Sequence, residues 1–380
     1  MNIRCWWPRL AARCLALAAV ASPALFAGKW QISYFYDKDK SSLVLNDLQF
    51  LSPNRGVAGG YLDEGDKSKA VTVVTDDGGA HWTIQRVKDV PVCLFFLNEK
   101  LGWMVTPRGI FDTADGGRNW REIPKSPKLL MKVYFRDEQH GFAVGAHKLA
   151  YQTEDGGKTW QPIAAAADPH TDPDHTVYNN IAFVNARQGL IDGYSVPPRA
   201  DDGKPEWLDA QNAVGRREWP HLSIMLDTHD GGKTWQPSTA SMFGHIIRTM
   251  FLADGRGLGL IAFTDTFKWP SEVHLLDGRT GKSTRVYNAP DRAITDLLLA
   301  PSGKGYLAGV EVQGRLQHSP IPAKVVVLES QNLTDWQEMP VDYRATAVHP
   351  ILRDAADGSL WLATDTGMIL KWTEAAEKGP

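Results

Sequence analysis

The chain has 380 residues, with 41 Lys and Arg against 44 Asp and Glu, a formal charge of −3 and 43% hydrophobic residues. So balanced a charge argues against nucleic acid or an anionic membrane surface as the general partner. The length permits one large core or several small ones.

The first residues read as a targeting segment. Arg4, Arg9 and Arg13 precede the apolar run from Leu15 to Phe26, which Pro23 interrupts and small residues follow, as in a secretory signal peptide. Residues 1–27 are therefore expected to be a leader cleaved after Ala24 or Ala27. Residues 28–380 are expected to form a single exported domain, periplasmic or extracellular and monomeric. No later stretch approaches eighteen uninterrupted apolar residues, so no membrane span is expected after cleavage. Cys5 and Cys14 lie in the leader, and Cys14 follows Ala-Ala-Arg, which does not fit a lipoprotein cleavage site. The mature chain would keep only Cys93, so its core, not a disulfide, must hold it.

Downstream, one turn is written four times: TDDGGAHW from Thr75, TADGGRNW from Thr113, TEDGGKTW from Thr153 and THDGGKTW from Thr228. Paired glycines supply positive φ, Asp and Thr bond the turn's own backbone, and the closing Trp covers the turn and packs behind it. Calcium binding would need about six to eight oxygens, far more than one copy offers. Degenerate copies follow, LLDGRTGKS from Leu275 and SQNLTDW from Ser330.

A second signal runs between the turns, an apolar residue followed six positions later by Gly. Phe50/Gly56, Phe96/Gly102, Phe135/Gly141, Phe183/Gly189, Phe251/Gly257, Leu299/Gly305 and Leu352/Gly358 obey it, at spacings of 39 to 68 residues. Periods of this order built from short strands indicate propeller blades. The reading is an all-β, seven-bladed β-propeller of four-stranded antiparallel blades, A to D outward from the axis. The seventh unit lacks a strand D. Lys29-Trp30-Gln31 matches the openings Thr-Trp160-Gln161 and Thr-Trp235-Gln236, so the mature N-terminal strand is expected to complete that blade and close the ring.

The turn resembles the Asp-box, or bacterial neuraminidase repeat, shared by several propeller families. The turn coupled to the Phe-x5-Gly pattern over the mature length resembles the photosystem II stability and assembly factor family. The resemblance implies a propeller that binds a protein partner. The arginines that family uses for its partner have no position-by-position match here.

Three residues before each marker stand Asp47, Cys93, Lys132, Asn180, Arg248, Asp296 and His349, one per blade. Near the start of strand A they would ring the channel mouth, with Lys132 and Arg248 pairing carboxylates and Asp47 and Asp296 pairing cations. A water-filled channel also tolerates polar residues with no such role. A long insertion from Tyr194 to His221 carries Arg199, Trp207, Arg216, Arg217 and Trp219, the composition of a partner-binding loop. Beside it, His170, Asp172, Asp174 and His175 are possible ligands, but the prolines at 169 and 173 give an extended loop with no fixed ligand face, and neither metal nor cofactor is expected. The function these features imply is non-catalytic capture of an envelope protein or peptide. The alternative is a sialidase-like glycoside hydrolase using Asp47 and Asp296. It lacks the Arg-Ile-Pro segment and has too few arginines.

Overall fold

The computed structural model describes residues 28–196, 220–263, 268–311 and 322–374. These residues form seven antiparallel sheets, the blades of a β-propeller, six of them running A to D in sequence order. Their innermost strands are Ser42–Phe50, Cys93–Phe96, Leu130–Phe135, Thr176–Phe183, His245–Phe251, Arg292–Leu299 and Ile351–Asp354. Blade 7 is composite. Its order is Ile351–Asp354, Leu360–Ala363, Met368–Glu374 and then Gly28–Phe35, with Trp30 opposite Trp372 and Ile32 opposite Leu370.

The blade pattern has a steric cause. Phe50, Phe96, Phe135, Phe183 and Phe251 fold their rings over Gly56, Gly102, Gly141, Gly189 and Gly257, where a Cβ would stand 2.3–2.8 Å from the ring. The glycine is the space the phenyl occupies. Strands B such as GWMVT and GFAVG are buried along their whole length because neighbouring blades cover both faces, so they read as continuous apolar runs rather than alternating ones.

The four turns share one hydrogen-bond scheme. The Thr hydroxyl donates to Asp Oδ1 at 2.8–2.9 Å and accepts the second glycine's N–H at 2.8–3.0 Å. The same Asp Oδ1 accepts the N–H four residues on at 2.9 Å. Both glycines of each pair have φ between +68° and +91°, a region that L side chains avoid.

In every blade but the fifth, a closing Trp packs into the seam with the preceding blade. Trp82 lies in the cluster between blades 7 and 1, Trp120 in that between 1 and 2, Trp160 between 2 and 3, Trp235 between 3 and 4, Trp336 between 5 and 6, and Trp30 between 6 and 7. These six clusters form a segmented core. Among the described residues, no such cluster spans blades 4 and 5.

Candidate functional site: the central channel

The innermost strands of blades 1, 3, 4, 5 and 6 each carry a register shift, immediately before Asp47, Lys132, Asn180, Arg248 and Asp296 respectively. A β-bulge bends its strand and re-aims the next side chain. Here it marks the same step in five blades. Asp47 is the sixth of nine residues in its strand and Asp296 the fifth of eight, so these positions lie within the channel rather than at its mouth.

Asp47, Cys93, Lys132, Asn180 and Arg248 line one axial cavity of about 280 Å³, together with Arg353. Asp296 joins them through ion pairs. His349 does not. It lies on an exposed loop beside Asp365, with Nδ1 3.7 Å from the carboxylate and its own N–H bonded to that group. The cause is a two-residue offset in blade 7, where the last strand A to strand B pair is Asp354 with Leu360, not Leu352 with Gly358. Gly358 sits in the turn with φ +80°, and Ile351 takes the ring position.

Arg353 is the residue the repeat pattern missed. It is 8% exposed and bridges two blades, with Nη2 donating to Asp47 Oδ1 and Nη1 to Asp296 Oδ2 at 3.0 Å. Aligning blade 7 on its strand B, Leu360–Ala363, moves the count to Ile351, opposite Ala363 as Asp47 is opposite Gly59, so the repeat pattern does not reach Arg353 in either alignment.

The two carboxylates are fixed alike. Asp47 accepts the N–H of Leu48 and, in the next blade, that of Leu94, both at 2.9 Å. Asp296 accepts Leu297 N–H at 3.0 Å and Leu352 N–H at 2.9 Å, and Arg248 Nη1 stands 2.8 Å from it. Burial raises the Asp47 carboxyl's pKa, but Arg353, Lys132 and the two amides outweigh it and the pKa is lowered. Each acid is a blade-to-blade clamp saturated with donors. Neither resembles the protonated acid and free nucleophile of a glycosidase pair.

The opposite wall is different. The Lys132 side chain has no hydrogen bond or ion pair to a described residue, though its charge acts on Asp47 and Cys93. Burial pushes the Cys93 thiol's pKa upward, which keeps it neutral. Asn180 Nδ2 donates to Asp192 at 2.8 Å, and Thr249 Oγ1 donates to the same carboxylate at 3.3 Å. Burial raises the pKa of Asp192 to about 6. Lys132, Arg248 and Arg353 stand against Asp47 and Asp296, with Asp192 a third acid behind Asn180 and Thr249, and of the three cations Lys132 alone has no ion pair to a described residue.

The other sequence candidates lie elsewhere. Residues 168–175 form short turns in which Asp172 accepts the Asp174 N–H and His147 Nδ1 meets Asp174 at 3.1 Å, away from the channel cavity. Residues 1–27, expected from the sequence to be a leader, and Arg199, Trp207, Arg216, Arg217 and Trp219 lie outside the described residues.

Comparison with known proteins finds photosystem II assembly factors among the relatives and propellers of several kinds among the solved structures. No family model matches it. It is 30% identical over 129 residues to the photosystem II assembly lipoprotein Ycf48 of Synechococcus sp. (strain CC9902), covering 30% of this chain and 35% of that protein. It is 27% identical over 310 residues to the photosystem II assembly protein Ycf48 of Thermosynechococcus vestitus, covering 76% of this chain and 82% of that one. Against three of the curated relatives the match spans 35–53% of their length. A solved structure of YCF48 bound to D1 peptide superposes with a TM-score of 0.59 at 17% identity, covering 94% of this chain and 99% of that one. An ancestral GH74 enzyme gives 0.52 at 14% identity, covering 76% of this chain and 37% of that one. The chain resembles photosystem II assembly factors, and its fold is the seven-bladed propeller they share.

Proposed function

We propose that this chain is a non-catalytic, exported propeller that binds a protein or peptide segment and assists assembly or stability of an envelope complex, in the manner of a photosystem II assembly factor. One observation carries the reading. Asp47 and Asp296 are held by donors, whereas Lys132 faces the cavity without an ion-pair partner among the described residues. A carboxylate on the ligand would meet Lys132 and the half-buried Arg248. The relatives' names, and the D1 peptide in the solved propeller, support a polypeptide as the ligand class. The leader supports export, and the loop residues Arg199, Trp207, Arg216, Arg217 and Trp219 are proposed to extend the partner surface.

The test is capture from envelope extract, and titration with a D1 peptide, using the parent, Lys132→Ala and Arg248→Ala. Capture by the parent, weakened about tenfold or more in folded variants, supports the reading. Undiminished capture by both variants would place the ligand elsewhere, and turnover of oligosaccharides lost in Asp47→Asn would restore the hydrolase.

A further inference from the structure

Six seams of this propeller contain an indole, and among the described residues the seventh, between blades 4 and 5, does not. In blade 4, Asp227 of strand C pairs with Gln236 of strand D, which puts Thr228 opposite Trp235. In blade 5 the equivalent of Thr228 is Leu276, since Gly189 pairs with Thr228 as Gly257 pairs with Leu276. The residue opposite Leu276 is Ser283. Ser283 therefore holds the place of the closing Trp, and LLDGRTGKS has no aromatic residue to replace it.

The consequence is a cleft of about 450 Å³ between blades 4 and 5, with Ser283 on its wall. Its apolar lining includes Val184, Leu190, Met225, Ile246, Ile261 and Leu276, all only partly buried. Leu190 follows the first glycine of its strand B, as Phe142 does in blade 3, and Phe142 packs edge-on against Trp235 with centroids 5.5 Å apart. The blade 4 wall is thus shaped for a ring that blade 5 does not supply. The volume lies within the range of small-molecule pockets, and most of the lining is apolar. At the rim, the Asp227 carboxylate has no hydrogen bond among the described residues, and burial raises its pKa.

We propose that the cleft between blades 4 and 5 is a second binding site, which takes a tryptophan side chain of a partner polypeptide into the place vacated at Ser283. The site is separate from the axial cavity and does not rest on the channel reading. The apolar walls would hold the ring as Phe142 and Phe183 hold that of Trp235.

The probe is 5-fluoroindole, followed by ¹⁹F line broadening on the full chain, with Gly-Gly-Trp-Gly-Gly and Gly-Gly-Ala-Gly-Gly as competitors. Saturable broadening by the parent, displaced by the Trp peptide alone, is expected. Ser283→Trp, which refills the seam from within, should weaken it at least tenfold, while Lys132→Ala should leave it unchanged. Should Ser283→Trp fail to fold, Leu190→Trp fills the cleft from the other wall and is expected to have the same effect. Absence of broadening, or equal broadening in a folded filled variant, overturns the proposal. Binding of free indole that the Trp peptide does not displace overturns the polypeptide as its source.

Discussion

The seam between blades 3 and 4 and the seam between blades 4 and 5 use the same strand positions and end in opposite states. The first is closed by Trp235, 9% exposed, against Phe142 and Phe183 in a continuous apolar cluster. The second has Ser283 at that place and is held by polar and ring contacts. Asn179 Nδ2 donates to the Ile246 carbonyl at 3.2 Å, Thr249 bonds Asp192, and Tyr194 lies 4.3 Å from His245, centroid to centroid. Repetition fixes the backbone frame of a blade, whereas one side chain decides whether the joint between two blades is a core or a site.

The largest expected effects break a filled joint. Trp235→Ala should cost about 3–5 kcal/mol in denaturant unfolding, through lost burial and a new cavity. Ser283→Ala, at the same strand position, should stay within about 0.5 kcal/mol. Equal costs would mean that the two seams do not differ. Arg353→Met leaves Asp47 and Asp296 as buried charges without their shared cation and should also cost about 3–5 kcal/mol.

An intermediate effect depends on pH. Burial holds Asp192 at about 6 in the fold, against its ordinary 3.8. Its contribution to stability is present below about pH 4 and lost as the pH rises to about 6. His245, in the same seam, is lowered to about 4 from 6.5 by burial and by His221, so its contribution is present above about pH 6.5 and lost as the pH falls to about 4. The two oppose each other in the parent. Asp192→Asn should raise stability at pH 7 by up to about 3 kcal/mol and expose the rise with pH due to His245, read from unfolding midpoints between pH 4 and 7. Unchanged pH dependence would show that Asp192 titrates normally.

Smaller effects sharpen the comparison. Ser283→Trp should add about 0.5–2 kcal/mol by filling the cleft. Asp155→Ala should remove about 1 kcal/mol by taking away the acceptor for Thr153 Oγ1 and Thr159 N–H. Peptide binding should survive it, because that turn lies outside the channel cavity.

Much of this was legible in the letters. The Phe-x5-Gly pattern reports a ring lying over a glycine, a constraint local enough to survive in five blades. The closing Trp reports a filled seam, and its absence from LLDGRTGKS was visible, although its meaning required knowing which residue faces Leu190. What could not be read depends on geometry between strands. The bulges before Asp47 and Asp296 leave no mark in the sequence, and the Arg353 bridge joins residues 306 positions apart. His349 was misplaced because blade 7 keeps a glycine in its A–B turn but not at the start of strand B, so counting back from that glycine slipped by two.

The central claim is that the axial cavity binds an acidic polypeptide segment through Lys132, the cation that has no ion-pair partner among the described residues. The most direct measurement is fluorescence anisotropy with matched acidic and basic peptides of equal length, on the parent and on folded Lys132→Ala, at low and high salt. The account predicts saturable binding of acidic peptides alone, weakened by salt and at least tenfold weaker in Lys132→Ala. Basic peptides binding equally well, or an affinity indifferent to Lys132, would contradict it.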